Sequence, residues 1–188
     1  MVAAVTTSAI SQERSVEMPT FAEAVEAHKA MVFSIAWHVL RDRSAAEELA
    51  QDVFLQLHCS WRSIKSREHI VFWLRKVATH RALDQIRKRN GRPETSLDET
   101  GEPTVLERMQ DSLLSSYLER MVASLPERQR AAIVLRYQED MTPDEIAKVM
   151  DMNVSTVKTL IARGLDLLRA KTKYRLGAQP ERSGHDGV

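Results

Sequence analysis

Ser155, Thr156, Lys158, Thr159 and Arg163 crowd one side of the stretch VSTVKTLIARGLDLLRAK, while Val154, Val157, Ile161 and Leu168 hold the other. Ser155, Thr159 and Arg163 recur every four residues, so on a helix they share a face. Short hydroxyls and long cations are groups that bond phosphate oxygens and base edges, and an arginine can fork onto guanine. The chain just before it, TPDEIAKVM and then DMN, reads as a short helix and a tight turn. Together they have the dimensions of a helix-turn-helix. The same periodicity also fits an ordinary helical hairpin with a solvated polar face.

Charge along the chain bears on that choice. Between Val154 and Arg175 six cations face one acid, Asp166. Between Trp61 and Arg92 ten cations face Glu68 and Asp84. Between Pro93 and Glu127 eight acids face Arg108 and Arg120. Positive charge is thus gathered in two places, as two nucleic-acid surfaces would require. The first basic stretch also holds Trp61, Phe72 and Trp73, aromatics that could stack on unpaired bases or simply fill a core. A third face, Glu47, Glu48, Gln51, Asp52 and Gln56, is acidic. It would repel DNA and suits either a basic protein partner or plain solvent. Leu55, which projects off the apolar stripe there, favours the partner.

Catalytic chemistry finds no support. The six histidines, His28, His38, His58, His69, His80 and His185, show no HExxH or paired-ligand spacing. His58 and the single cysteine Cys59 are neighbours and point to different sides of a helix, so no metal site is expected. A lone cysteine also excludes an internal disulfide. No phosphate-binding glycine loop and no G-x-S-x-G elbow occurs. The expectation is a protein that is not an enzyme and carries no cofactor.

The elements that must position these groups are helices. Ser44 and Glu47 have capping-box spacing, and Ala46, Leu49, Ala50, Val53, Phe54 and Leu57 then form one apolar face. An earlier helix spans about Phe21 to Leu40. A longer one runs from about Glu68 to Lys88, with Val71, Leu74, Ala78 and Ala82 as its inner side. Farther on, Leu114, Tyr117, Leu118, Met121 and Leu125 keep helical spacing, and Pro126 opens a helix whose AAIVL run should be central. Thr142, Pro143 and Glu145 make the strongest cap of the chain, and Asn153 can cap the last helix. The stretch GRPETSLDETGEPT, with Gly91, Pro93, Gly101 and Pro103, reads as an acidic linker. The expected fold is all-α: two small helical domains joined by a flexible acidic linker, the second containing the helix-turn-helix. The boundaries are a tail over 1–19, domains over 20–90 and 113–176, a linker over 91–112 and a tail over 177–188.

Composition agrees with that size. The 188 residues, 43% apolar and 28% charged, suffice for one ordinary domain or two small ones. The net charge of +1 hides the two basic stretches. Apolar runs reach five residues, as at Ala131 to Leu135, far short of a membrane span. The start, MVAAVTTSAISQERSVEMP, reads as a tail and not as a secretion signal. A cytoplasmic protein with no direct membrane insertion is expected.

Three runs in order, DRSAAEELAQDVFLQLHCSW, FWLRKVATHRALDQIRKRN and SLPERQRAAIVLRYQEDMTPDEIAKVMDMNVSTVKTLIARGLDLLR, resemble the extracytoplasmic-function group of bacterial sigma factors over about Thr20 to Leu176. The resemblance implies a sigma factor that binds core RNA polymerase, directs it to promoter DNA and is held in check by an anti-sigma factor. It implies core-polymerase contacts at Glu47, Glu48, Leu49, Gln51, Asp52 and Phe54. It implies −10 contacts at Arg62, Lys65, Arg67, Trp73, Lys76, His80, Arg81, Arg87 and Lys88, with the loop at about Arg62 to Glu68 pocketing an extruded base. It implies −35 contacts at Ser155, Thr156, Lys158, Thr159 and Arg163. His80 stands where the family often has Asn. Leu160 and Leu165 stand where it often has Arg, and Asp151 where the turn usually has Gly. Two other readings of the residues are an independent helix-turn-helix regulator, which would bind an operator as a dimer, and an adaptor whose acidic helix and linker bind proteins.

Overall fold

Thr20 starts the first helix. Its hydroxyl accepts the Glu23 N–H, and Glu23 Oε2 accepts the Thr20 N–H at 2.8 Å. This capping box satisfies two N–H groups that helical bonding leaves over. Helix α1, Phe21–Leu40, ends at Arg41, whose backbone is left-handed at φ 62° and whose guanidinium lies 5.2 Å from the Trp37 ring centre. The chain reverses there into α2, Arg43–Ser60. Its cap is Asp42, which accepts the Ala45 N–H at 3.0 Å, and not the Ser44 of the sequence reading. Two cap-forming residues lie within three positions, and the earlier one is used. Glu47 then pairs with Arg43 at 3.0 Å instead of reaching back to a cap.

The computed structural model describes residues 18–90 and 111–176. Nearly all of the expected linker and tails lie outside the described residues. A 3-10 turn, Trp61–Ser63, leads into α3, Arg67–Asn90. The basic end of α3, Arg87, Lys88 and Arg89, complements the negative pole of the helix. Then follow α4, Asp111–Ala123; α5, Glu127–Tyr137; α6, Pro143–Met150; and α7, Val154–Leu176. Pro126 is the cap of α5 and not its first residue. No strand occurs among the described residues.

Helices α1, α2 and α3 pack on one another, and α5, α6 and α7 do the same. Val32, Ile35, Val53, Leu57, Ile70 and Leu74 are fully buried in the first group. On α3 the inner row starts at Ile70 and not at Val71, which is half-buried. The two groups also meet. Helix α1 lies on α5, and α3 on α6. Ala131, Ala132 and Leu135 of α5 join the same apolar cluster as α1, α2 and α3. Arg130 ties the seam: Nη1 donates to the Val39 carbonyl at 2.7 Å and Nη2 to Leu125 at 3.1 Å. The Val39 carbonyl belongs to the last turn of α1, where no helical N–H is left to meet it. The two units therefore share a core.

The cap of α6 follows the sequence closely. Thr142 accepts the Glu145 N–H, Glu145 Oε2 accepts the Thr142 N–H at 2.7 Å, and Pro143 is the first helical residue. Thr142→Ala removes one side of this box. It should lower stability by about 1 kcal/mol in urea denaturation, with the slope unchanged.

Candidate nucleic-acid interface

Helix α7 presents its polar face to solvent. Ser155, Thr156, Lys158, Thr159 and Arg163 are all exposed. Val157 is fully buried, and Val154, Leu160 and Ile161 pack against the core. The partition follows from the 3.6-residue period. Leu160, one of the two leucines noted above, is thus a packing residue. Thr159 Oγ1 donates to the Ser155 carbonyl at 2.9 Å, so this hydroxyl is turned onto its own helix. Gly164 sets the seat of α7: a Cβ there would lie 3.1 Å from Ile133 Cγ1 on α5. Its lack of a side chain lets the two helices approach.

The second basic surface is built on α3 and the segment before it. Ser66 caps the helix by accepting the His69 N–H at 3.1 Å. Arg62 and Lys65 are exposed ahead of it, Arg67 is exposed at its start, and Arg87 and Lys88 are exposed at its far end. Phe72 is exposed, whereas Trp73 is half-buried against the core. Between α2 and α3 runs a groove of about 800 Å³, lined by Asp52, Gln56, Trp73, Lys76, His80 and Arg81 among others. Arg81 bridges it, donating from Nη1 to Asp52 at 3.1 Å and from Nη2 to Gln56 at 2.8 Å. A cation expected to meet DNA and an acid expected to meet polymerase are therefore partners here.

The acidic face of α2 is open. Glu47, Glu48, Gln51 and Asp52 are exposed, and Leu55 is 66% exposed. Leu49 is different: at 4% exposure it lies in the core. It shapes the face from below and offers no side chain to a partner. Phe54 is half-buried.

The middle of α3 faces the other unit. Arg75 donates from Nε to Glu139 Oε2 at 3.0 Å and from Nη2 to the Glu139 carbonyl at 3.2 Å. Burial pushes the Glu139 carboxyl above the ordinary carboxylate range, and Arg75 pulls against that. Lys76 Nζ meets Asp151 Oδ1 at 2.6 Å. His80 Nε2 donates to the Val149 carbonyl at 2.8 Å and lies 3.4 Å from Asp151 Oδ2. Local spacing does not point to Arg75, Glu139 and Asp151 as partners across the two units. Partners 64 and 75 positions apart leave no trace in a local period. Among the described residues no cluster of His, Cys, Asp and Glu could hold a metal, and no helix is long and apolar enough to cross a membrane.

Residues 24–92 match the family model for sigma-70 region 2, and residues 115–168 match that for sigma-70 region 4. The ECF RNA polymerase sigma factor SigW of Bacillus subtilis (strain 168) is 26% identical over 179 residues, which is 87% of this chain and 95% of that protein. The ECF RNA polymerase sigma factor SigK of Mycolicibacterium vanbaalenii is 30% identical over 160 residues, 79% of this chain and 80% of that one. Among solved structures, the sigma factor RpoE in complex with the anti-sigma factor NepR from Bartonella quintana has the same fold. Its TM-score is 0.62 at 18% identity, covering 85% of this chain and 98% of that one.

Proposed function

The chain belongs to the extracytoplasmic-function group of sigma factors, and we propose that it is a promoter-recognition subunit whose three exposed faces divide the work. The α2 face, Glu47, Glu48, Gln51 and Asp52, docks on basic helices of core RNA polymerase. Segment 62–67 and α3 hold the −10 region, where cations track phosphates and Trp73 or Phe72 can stack on a displaced base. The polar face of α7 enters the −35 major groove. The observation that carries this reading is the order of the two family matches, each falling on one of the two basic segments. An anti-sigma factor is a fitting regulator, as the solved relative is held by one. Nothing in this division of work asks for catalysis.

A −10 and a −35 element lie about 25 base pairs apart, or about 85 Å along B-form DNA. In the closed chain α3 and the α6–α7 turn touch. Both faces can reach a promoter together only after the units separate. The test is reconstitution with core polymerase. A complex and promoter-specific transcripts are expected. Absence of both, with specific DNA binding by the protein alone, would make it an independent regulator.

A further inference from the structure

Asp151 ends α6 in the left-handed conformation, at φ 50° and ψ 51°. Glycine holds that conformation with no strain, so the turn itself has no need of a carboxylate. The carboxylate has a task outside the turn. One oxygen meets Lys76 at 2.6 Å and the other lies 3.4 Å from His80, both on α3. His80 is further held by its bond to the Val149 carbonyl in the last turn of α6. A carbonyl only accepts, so His80 Nε2 carries a proton and presents a donor there. An oxyanion on an ammonium, beside an imidazole that Val149 holds in place, is an arrangement a backbone phosphate could take over. The open groove beside this cluster, about 1020 Å³, is lined also by Arg87, Arg128 and Lys148 and by Asp84 and Asp144, with Arg87 held by Asp84 at 2.8 Å.

We propose that Asp151 is an internal surrogate for a DNA phosphate: it occupies Lys76 in the closed chain, while Val149 holds the neighbouring His80, so that the helix-turn-helix unit masks the −10-facing edge of α3 until DNA displaces it. The proposal rests on the assignment of α3 to the −10 region. Lys76 and Asp151 are both partly exposed, with side-chain exposures of 37% and 57%. An exposed pair is weak and salt-sensitive, which suits a contact that must be exchanged for a phosphate.

The full-length chain and its Asp151→Asn and Asp151→Gly variants test this. Both replacements tolerate the left-handed turn, so the fold is kept. Two quantities are read on each protein: the rate at which Lys76 is acetylated with no DNA present, and the affinity for a short mixed-sequence DNA duplex at low salt. Both should rise about two- to fivefold in the variants. Asp144→Asn removes an exposed charge from the same groove and should leave Lys76 at its wild-type rate. Equal Lys76 reactivity in wild type and Asp151→Asn overturns the proposal. So does an equal gain in duplex affinity from Asp144→Asn. Freed Lys76 with unchanged duplex affinity overturns the surrogate role and removes Lys76 from the DNA face. Loss of polymerase-dependent transcription by the wild type fails the functional reading instead, and Lys76 reactivity still decides the masking.

Discussion

Arg75→Ala opens the chain. Glu139 is 8% exposed at its side chain and Arg75 25%, so this pair between the two units is well enclosed. Removing the cation leaves a carboxylate in a poorly solvated site, and that loss is larger than the pair's own net worth. The closed arrangement should weaken by about 2–4 kcal/mol, less than a fully buried pair would lose because Glu139 can turn outward or take a proton. Scattering measures this directly as a larger radius of gyration, and dyes on the exposed Cys59 and on an added cysteine at Ala170 report the distance. Arg75→Lys should recover only part of the closure. An ammonium keeps the charge but cannot reach Oε2 and the main-chain carbonyl as a planar fork does. An unchanged radius in Arg75→Ala would show that the remaining contacts, α1 against α5 and α3 against α6, hold the units without this pair.

The same variant has a pH signature. Burial raises the Glu139 carboxyl above its ordinary value of 4.5 in the closed form. On opening it becomes an ordinary carboxyl. The closed form therefore binds the extra proton, and acid favours closure. Its contribution is complete below 4.5 and is lost as pH rises through the raised value. Arg75→Ala removes the group that opposes the upward push, so its closure should return at mildly acidic pH. A radius independent of pH in Arg75→Ala would place Glu139 in solvent.

The faces were legible in the sequence because periodicity is local. Thr159, Arg163 and Val157 sort to outside and inside of α7 by spacing alone, and the Thr142 box fixes the start of α6 within one residue. Where two neighbouring residues compete, periodicity cannot choose. Asp42 displaced Ser44 as a cap, and Ile70 displaced Val71 on the inner row. Leu49 shows the other limit. It sits at the edge of an apolar stripe beside an acidic face, and only packing against α1 and α3 decides that it is core. The closure of the two units was least legible of all. It depends on Arg130 meeting Val39 and Arg75 meeting Glu139 across 91 and 64 residues. Arg130, Arg75 and Glu139 each look locally like one more solvated charge, and Val39 takes part only through its carbonyl. Asp151 and His80 were visible as unusual residues, yet nothing in the chain order says that they face each other.

Arg163→Ala should weaken −35-dependent initiation by about 1–3 kcal/mol, the worth of one bidentate base contact. Arg163 is exposed on the polar face of α7, one turn beyond Thr159 and two beyond Ser155. Among the described residues none of the ion pairs engages it, whereas Arg169, farther along the helix, is held by Asp166 at 3.0 Å. Arg163 can therefore turn to a base without first leaving a partner. Its loss should also relax the preference at one −35 position, because base contacts carry sequence information and phosphate contacts do not. Lys158→Ala supplies the contrast. A lysine that meets only phosphate should weaken all promoters alike and lower the salt slope by about 1. Initiation rates on a library of −35 variants, taken at several salt concentrations, separate the two. If Arg163→Ala lowers every promoter equally, Arg163 is a phosphate contact, and base reading passes to Ser155, Thr156 and Thr159. A hydroxyl-only reader would discriminate less, since each hydroxyl makes single bonds where a guanidinium makes a fork.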